Sequence, residues 1–272
     1  MAKESAQQDR NFDELAKRFK KNIYGGLKGD IRLAVLNRDC TAYVNILPFN
    51  QSLVPQASWR ILDAGGGQGQ FSLQLAQAGH HVVICDISAE MLKLAEEQVT
   101  ALGLHERVTL IHCAIQDLSQ HLAPAQQQFD MVICHAVMEW MQEPQALLPC
   151  LLNYLKPQGY LSLTFYNVHS LIYKNLLRTN FKKIIQKDFG GSRGSLTPIN
   201  PVDPQQVLVW VNALPLTLLA HSGIRVFHDY IFNEEHRERD PETLLQLELE
   251  FSQQEPYRSL GRYVHLLLRA TQ

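Results

Sequence analysis

Five apolar runs, at residues 59–64, 81–86, 107–113, 129–134 and 158–165, alternate with helix-period segments near 70–79, 88–103 and 141–155. Strands that are apolar throughout belong in a parallel sheet covered on both faces. Their alternation with helices leaves a doubly wound α/β sheet as the expected fold, with any ligand at the carboxyl ends of the strands. The residues just past the end of each run are therefore the ones placed to bind. After the first comes Arg60-Ile-Leu-Asp63-Ala-Gly65-Gly66-Gly67-Gln68-Gly69-Gln70, and a helical pattern begins at Phe71. Glycines at 65, 67 and 69 allow backbone N–H groups to approach a ligand closely. Asp63, just before the first glycine, is the wrong charge for a pyrophosphate, so the turn is a poor dinucleotide site.

The second run, His81-Val-Val-Ile-Cys-Asp86, also ends in an acid. Asp86 is placed to accept both hydroxyls of a ribose, and Asp63 to accept from an amine through water or backbone groups. A nucleoside with a cationic amino-acid tail and no phosphate fits this pair of acids. That ligand is S-adenosylmethionine, and the arrangement resembles the first two motifs of class I methyltransferases. After the third run, Ile115-Gln116-Asp117 is placed to meet the adenine.

The fourth run ends at His135, in Cys134-His135-Ala136-Val137-Met138-Glu139-Trp140, and the fifth in Phe165-Tyr166-Asn167-Val168-His169. His135, Tyr166, Asn167 and His169 are expected over the cleft. No Asn/Asp-Pro-Pro-aromatic turn comes after the fourth run, which disfavours methylation of an exocyclic base amine. Pro149-Cys150 lies within a helical pattern, on the wrong element for a carbon-5 cytosine nucleophile. An oxygen of low pKa, or an activated carbon, remains as acceptor.

Net charge is −2, but it is unevenly spread. Lys17, Arg18, Lys20, Lys21, Lys28, Arg32 and Arg38 accompany the single acid Asp30, and Lys174, Arg178, Lys182, Lys183, Lys187 and Arg193 accompany Asp188. Acids gather around Glu234–Glu250. The asymmetry fits either a polyanionic partner or two solvated helix faces. The tail holds a Pro-interrupted helix near 204–221, strand candidates at 224–231 and 262–269, and an acidic helix near 241–253. In an extended 224–231, His228 and Tyr230 share one face and Arg225 and Asp229 the other. Aromatics and arginines mix again in Glu255-Pro256-Tyr257-Arg258-Ser-Leu-Gly261-Arg262-Tyr263, which suits base stacking and phosphate pairing. Cys40, Cys85, Cys113, Cys134 and Cys150 form no C-x-x-C pair and read as buried thiols, so neither metal nor disulfide is expected. No run is long enough to span a membrane and the first residues lack an apolar leader, so a cytoplasmic protein is expected.

Several blocks together are similar to the bacterial tRNA 5-carboxymethoxyuridine methyltransferases. They are Gln8–Phe12, Asn22–Gly25 with Lys28, Gly29 and Arg32, Leu62–Gly67, Cys85-Asp86, Ile111–Cys113, His135–Val137, Phe165–Asn167, Gly223–Tyr230, Gln254–Tyr257 and Leu260–Tyr263. The resemblance spans residues 8 to about 265 and weakens at 36–58 and near 187–197. It implies a seven-stranded, mostly parallel Rossmann-like sheet with helices on both faces and an antiparallel last strand. It implies S-adenosylmethionine held by Arg32, Gly65, Gly66, Asp86, the backbone at Ile115 and His135; Gln116, beside Ile115, is a further candidate from its place after the third run. It also implies methyl transfer to the carboxylate of 5-carboxymethoxyuridine at the wobble position in the tRNA anticodon.

The chain is then expected to be one methyltransferase domain. Its parts are a basic helical cap (9–58), a cofactor-binding core (59–165), a basic insert over the cleft (166–200) and a carboxyl-terminal completion of the sheet (201–272). Tyr166, His135 and Arg225 are candidates to orient the acceptor carboxylate. Lys182, Lys183, Arg225, Tyr230, Arg258 and Arg262 are candidates to meet the substrate. Rival readings are a small-molecule O- or C-methyltransferase, a cofactor-binding scaffold without activity and, least favoured by Asp63, a nicotinamide dehydrogenase.

Overall fold

The computed structural model describes residues 13, 26–46, 48–50, 58–187, 189, 198 and 200–271. Lys17, Arg18, Lys20, Lys21, Asp188 and Arg193, with the blocks Gln8–Phe12 and Asn22–Gly25, lie outside them.

The apolar runs form the strands β1 (Arg60–Ala64), β2 (His81–Asp86), β3 (Val108–His112), β4 (Phe129–His135) and β5 (Leu155–Tyr166), joined by β6 (Leu216–Ile224) and β7 (Tyr263–Ala270). One sheet runs β3-β2-β1-β4-β5-β7-β6. The pairs β3/β2, β2/β1, β1/β4 and β4/β5 are parallel, and β7 lies antiparallel to both β5 and β6. The strand order reverses between β1 and β4, which opens a crevice above their carboxyl ends.

Side chains alternate between two apolar layers, as strand geometry requires. Ile61, Ile84 and Ile133 meet α1 (Leu27–Tyr43), α2 (Ser72–Gln77) and α3 (Ala89–Leu102) on one face. Leu62, Cys85 and Val132 meet α4 (Leu147–Leu152) and α7 (Pro204–Asn212) on the other. Ser88 caps α3 by accepting from the Met91 N–H, and Gly103 closes that helix in the left-handed conformation. The insert after β5 forms α5 (Val168–Leu177) and α6 (Phe181–Ile185); α8 (Glu234–Glu238) and the acidic α9 (Pro241–Phe251) precede β7.

The tail departs from expectation. The strand before β7 is 216–224, not 224–231. The expected helix at 204–221 stops at Asn212, and β6 begins directly after Pro215. Beyond Ile224 the chain turns sharply, with Arg225 at φ 61° and a short 3₁₀ turn at His228–Tyr230. The buried Glu248 of α9 holds this turn by accepting from the N–H groups of Val226, Phe227 and His228 at 2.6, 3.0 and 2.7 Å. Arg225 and Asp229 thus form an ion pair (2.9 Å) across a turn rather than sharing a strand face.

All five cysteines are free thiols, and among the described residues no cluster of His, Cys, Asp and Glu has metal-binding geometry. Among them, too, no helix is long and apolar enough to cross a membrane.

Candidate active site

The glycine turn is built around Asp63. Its carboxylate is 4% exposed and accepts from Ser72 Oγ at 2.6 Å. Burial, offset in part by Ser72 and reinforced by Asp86, raises its pKa to about 7. The acid lies beneath the turn rather than in the crevice, so it shapes the loop from below. Gly65 N–H donates to the Cys85 carbonyl at 2.8 Å, which ties the turn to β2. Gly65 needs φ 69°, and a Cβ there would lie 2.5 Å from Val137 Cγ2. A larger residue would also pay roughly 1–2 kcal/mol for the left-handed backbone.

Asp86 ends β2 beside this turn. One carboxylate oxygen accepts from Gly67 N–H at 2.9 Å and the other from Ser88 N–H at 2.8 Å. Burial raises its pKa, and these two bonds act in the opposite direction. Each oxygen keeps acceptor capacity for a ribose hydroxyl. Asp13 accepts from Ser88 Oγ at 2.7 Å and Glu90 N–H at 3.2 Å at the same corner. Ile115 is buried, and its carbonyl accepts from Tyr154 OH at 3.2 Å. Gln116 and Asp117 are exposed beside it.

His135 ends β4 on the same sheet face as Asp63, its ring 5.2 Å from Phe71 and its Nε2 2.8 Å from Ser162 Oγ. Burial, with smaller contributions from the nearby His265 and Arg32, holds its pKa well below the ordinary imidazole value. Arg32, 2% exposed on α1, places its guanidinium 4.3 Å from the centre of the Tyr263 ring.

A second group of side chains surrounds Tyr166 at the end of β5. Its ring meets Tyr263 edge-on at 5.3 Å, and the Arg262 guanidinium lies 4.5 Å over it. Among the described residues its buried hydroxyl has no hydrogen-bond partner, and neither has Arg262 Nη1. Burial holds the Tyr166 pKa far above its usual value, so the hydroxyl stays protonated. Arg225 and Lys174 (3.4 Å) both pair with Asp229, whose pKa the cations hold far down against its burial. Burial lowers the Lys174 pKa to about 8. Among the described residues, Arg225, Arg262 and Lys174 therefore stand against the single acid Asp229.

Other expected substrate residues are spread more widely. Tyr230 OH donates to the Leu260 carbonyl (2.6 Å) and lies 2.8 Å from Ser170 Oγ, so its hydroxyl is committed to the fold. Arg258 pairs with Glu255 at 2.7 Å. Lys182 and Lys183 are on α6, where Phe181 and Ile185 are 54% and 80% exposed, making a surface both basic and apolar. Asn167 does not overhang the crevice: it is buried, caps α5 and donates to the Ser259 and Gly261 carbonyls at 2.9 Å. His169 faces Asp203, 3.6 Å away. Tyr257 packs against Phe227 and Phe251 rather than offering a stacking face.

The crevice fits a nucleoside with an amino-acid tail. It offers a bare glycine turn, a carboxylate with spare acceptor capacity at one end and a buried guanidinium at the other. Residues 61–159 match the family described as "Methyltransferase domain". The tRNA 5-carboxymethoxyuridine methyltransferase of Escherichia coli is 40% identical over 266 residues, covering 97% of this chain and 98% of that protein. A ubiquinone biosynthesis O-methyltransferase of Xylella fastidiosa is 30% identical over 44% of this chain and 47% of its own. Among solved structures, the magnesium protoporphyrin IX methyltransferase of Synechocystis, with bound SAH, aligns with a TM-score of 0.58 at 19% identity over 95% of this chain and 96% of that one. The plantazolicin methyltransferase BpumL, in complex with SAH, aligns at 0.55 and 15% identity, over 96% and 92%. These two likenesses concern the fold.

Proposed function

The chain belongs to the tRNA 5-carboxymethoxyuridine methyltransferase family, and from that premise we propose that it methylates the carboxylate of 5-carboxymethoxyuridine at the tRNA wobble position, giving the methyl ester. The observation that carries the substrate reading is the cation excess at Tyr166, where Arg225, Arg262 and Lys174 outnumber Asp229. An acceptor that is ionised at neutral pH matches that charge. A small apolar acceptor leaves it uncompensated.

S-adenosylmethionine supplies the methyl group as an electrophilic sulfonium. In this reading Asp86 takes the ribose hydroxyls, the Gly65–Gly66 turn and His135 flank the methionyl part, Arg32 pairs with its carboxylate, and Ile115 and Gln116 border the adenine. The acceptor carboxylate, with an unperturbed pKa of roughly 4, is already a nucleophile at neutral pH. No general base is needed; the protein must orient oxygen, carbon and sulfur in line at about 3 Å. Tyr166 OH, protonated and without a hydrogen-bond partner among the described residues, suits one carboxylate oxygen, with Arg262 beside it. The other oxygen stays free to form the new C–O bond as the C–S bond breaks and its electron pair returns to sulfur. Arg225, held by Asp229, sets the local field. The exposed surface of α6 is suited to the anticodon arm: lysines meet phosphates and Phe181 offers a stacking face. In the same reading α1, with Arg32, belongs to a cap over the cofactor and α5 and α6 belong to the cleft side, and a reaction on tRNA suits a cytoplasmic protein.

Nucleoside mass spectrometry of tRNA from a strain lacking the protein tests the reading. The methyl ester is expected to vanish and the free acid to accumulate; an unchanged ester level overturns it. In vitro, Tyr166→Phe and Arg262→Gln are each expected to lower kcat/KM at least tenfold while leaving cofactor affinity unchanged.

A further inference from the structure

A line of buried polar side chains crosses the sheet beneath α1. Ser162 Oγ on β5 lies 2.8 Å from His135 Nε2 on β4 and 3.0 Å from His265 Nε2 on β7. His265 Nδ1 lies 2.7 Å from Asp39 Oδ2 on α1. Asp39 Oδ1 in turn accepts from Arg38 Nε and Nη2, at 3.0 and 2.6 Å, and from Gln253 Nε2 at 3.1 Å. Asp39, His265 and Ser162 are at most 1% exposed.

The direction of these bonds is set by valence. Ser162 has one proton and stands between two imidazole nitrogens, so it donates to one and accepts from the other. Asp39 is ionised: burial pushes its pKa up, but its partners His265 and Arg38, with Ser222, outweigh burial and hold it down. It therefore accepts from the Nδ1–H of His265. The carboxylate is already balanced by Arg38, so a neutral His265 leaves the buried line without net charge. His265 Nε2 is then a lone pair, Ser162 donates to it, and Ser162 accepts from His135 Nε2–H. His135 is left with a lone pair on Nδ1.

We propose that Asp39, His265 and Ser162 are positioning residues that lock His135 in the Nε2–H form, so that its Nδ1 is an acceptor for the α-ammonium group of the bound cofactor. The proposal rests on the cofactor assignment and not on the nucleic-acid substrate. It separates the roles of two residues near the cofactor's tail: Arg32, a donor, suits the methionyl carboxylate, and His135, an acceptor, suits the ammonium. It also removes His135 from the candidates for orienting the acceptor carboxylate, because a lone pair repels that group.

Asp39→Asn gives a direct test. Arg38 and Gln253 demand an oxygen on their side, so the new amide turns its nitrogen towards His265 Nδ1. Every bond of the relay then reverses, and His135 carries its proton on Nδ1. Histidine ¹⁵N NMR of the full chain is expected to show His135 protonated at Nε2 in the parent and at Nδ1 in Asp39→Asn. By calorimetry, the parent is expected to bind S-adenosylhomocysteine at least tenfold more tightly than the analogue lacking the α-amino group. In Asp39→Asn that ratio is expected to fall towards one. His265→Gln, whose amide can donate to Asp39 and accept from Ser162, is expected to keep most of the preference, and Ser162→Ala to lose it. A parent spectrum with His135 protonated at Nδ1 overturns the proposal even if no variant folds. So does a folded Asp39→Asn with an unchanged tautomer and unchanged ammonium preference. Neither measurement involves tRNA, so both outcomes are independent of whether the tRNA substrate is correct.

Discussion

Asp63 fills the space that a side chain at Gly66 would need. A Cβ on Gly66 would lie 2.4 Å from the Asp63 carboxyl carbon and 2.5 Å from the oxygen that accepts from Ser72. The acid at the end of β1 and the second glycine of the turn are one steric unit.

Gly66→Ala must therefore displace either the turn or the Asp63–Ser72 hydrogen bond. Cofactor affinity is expected to fall at least tenfold, measured by calorimetry, while the far-ultraviolet dichroism stays that of the parent. Parent-like affinity would mean that the turn does not hold the cofactor.

The raised pKa of Asp63 predicts a pH dependence of stability. The folded protein holds this proton up to about pH 7, whereas an ordinary aspartate loses it near 3.8. The associated stability is complete below about pH 4 and is lost as pH rises through about 7. Asp63→Asn keeps an uncharged group, and is expected to flatten the fall in urea-unfolding free energy between about pH 5 and about pH 8. A variant whose profile parallels that of the parent would contradict the assignment.

Asp86→Ala removes an acceptor with a lone pair for each ribose hydroxyl. Hydrogen bonds to a charged group are worth roughly 1.5–3 kcal/mol, so affinity for the cofactor and its demethylated product should fall at least tenfold. Titration against 2′,3′-dideoxy analogues provides the control: these should bind parent and variant alike.

Arg32→Lys replaces a planar fork by a point charge. Binding of carboxylated cofactor analogues is expected to weaken, with decarboxylated ones nearly indifferent. Equal losses for both classes would remove Arg32 from the methionyl carboxylate.

The α6 surface predicts a salt effect. Each phosphate neutralised should contribute about 0.7–0.9 log units of affinity per log unit of salt. Replacing Lys182 and Lys183 together by glutamine is expected to shallow that slope and raise the tRNA KM, with cofactor affinity unchanged. An unaltered slope would place the tRNA elsewhere.

The first five strands and the crevice are legible in the sequence because their signals are local: apolar runs with both faces buried, an acid at each of two strand ends, and glycines in a turn. The tail is harder to read. Most of the strand 216–224, partly exposed at the sheet edge, falls in the stretch to 221 that reads as the end of a helix, and only Pro215 marks the change. The segment 225–230 looks extended by residue type, but three of its N–H groups are taken by Glu248, whose partners no local pattern reveals. The polar line from Asp39 to His135 joins four elements, with Asp39 and His265 226 positions apart in the chain. His135 is legible at a strand end, but Asp39, Ser162 and His265 carry no local signal, and only the stacking of β4, β5 and β7 under α1 brings them together.

The placement of β7 sets an order on assembly during translation. The ribosome makes β6 before β7, yet β7 separates β6 from β5. As the chain emerges, β5 has an open edge and β6 has no neighbour, until the strand that joins them leaves the exit tunnel. Arg262 and Tyr263 arrive with that strand, and His265 completes the line to His135. A nascent chain can thus form its glycine turn early, but the wall around Tyr166 closes last.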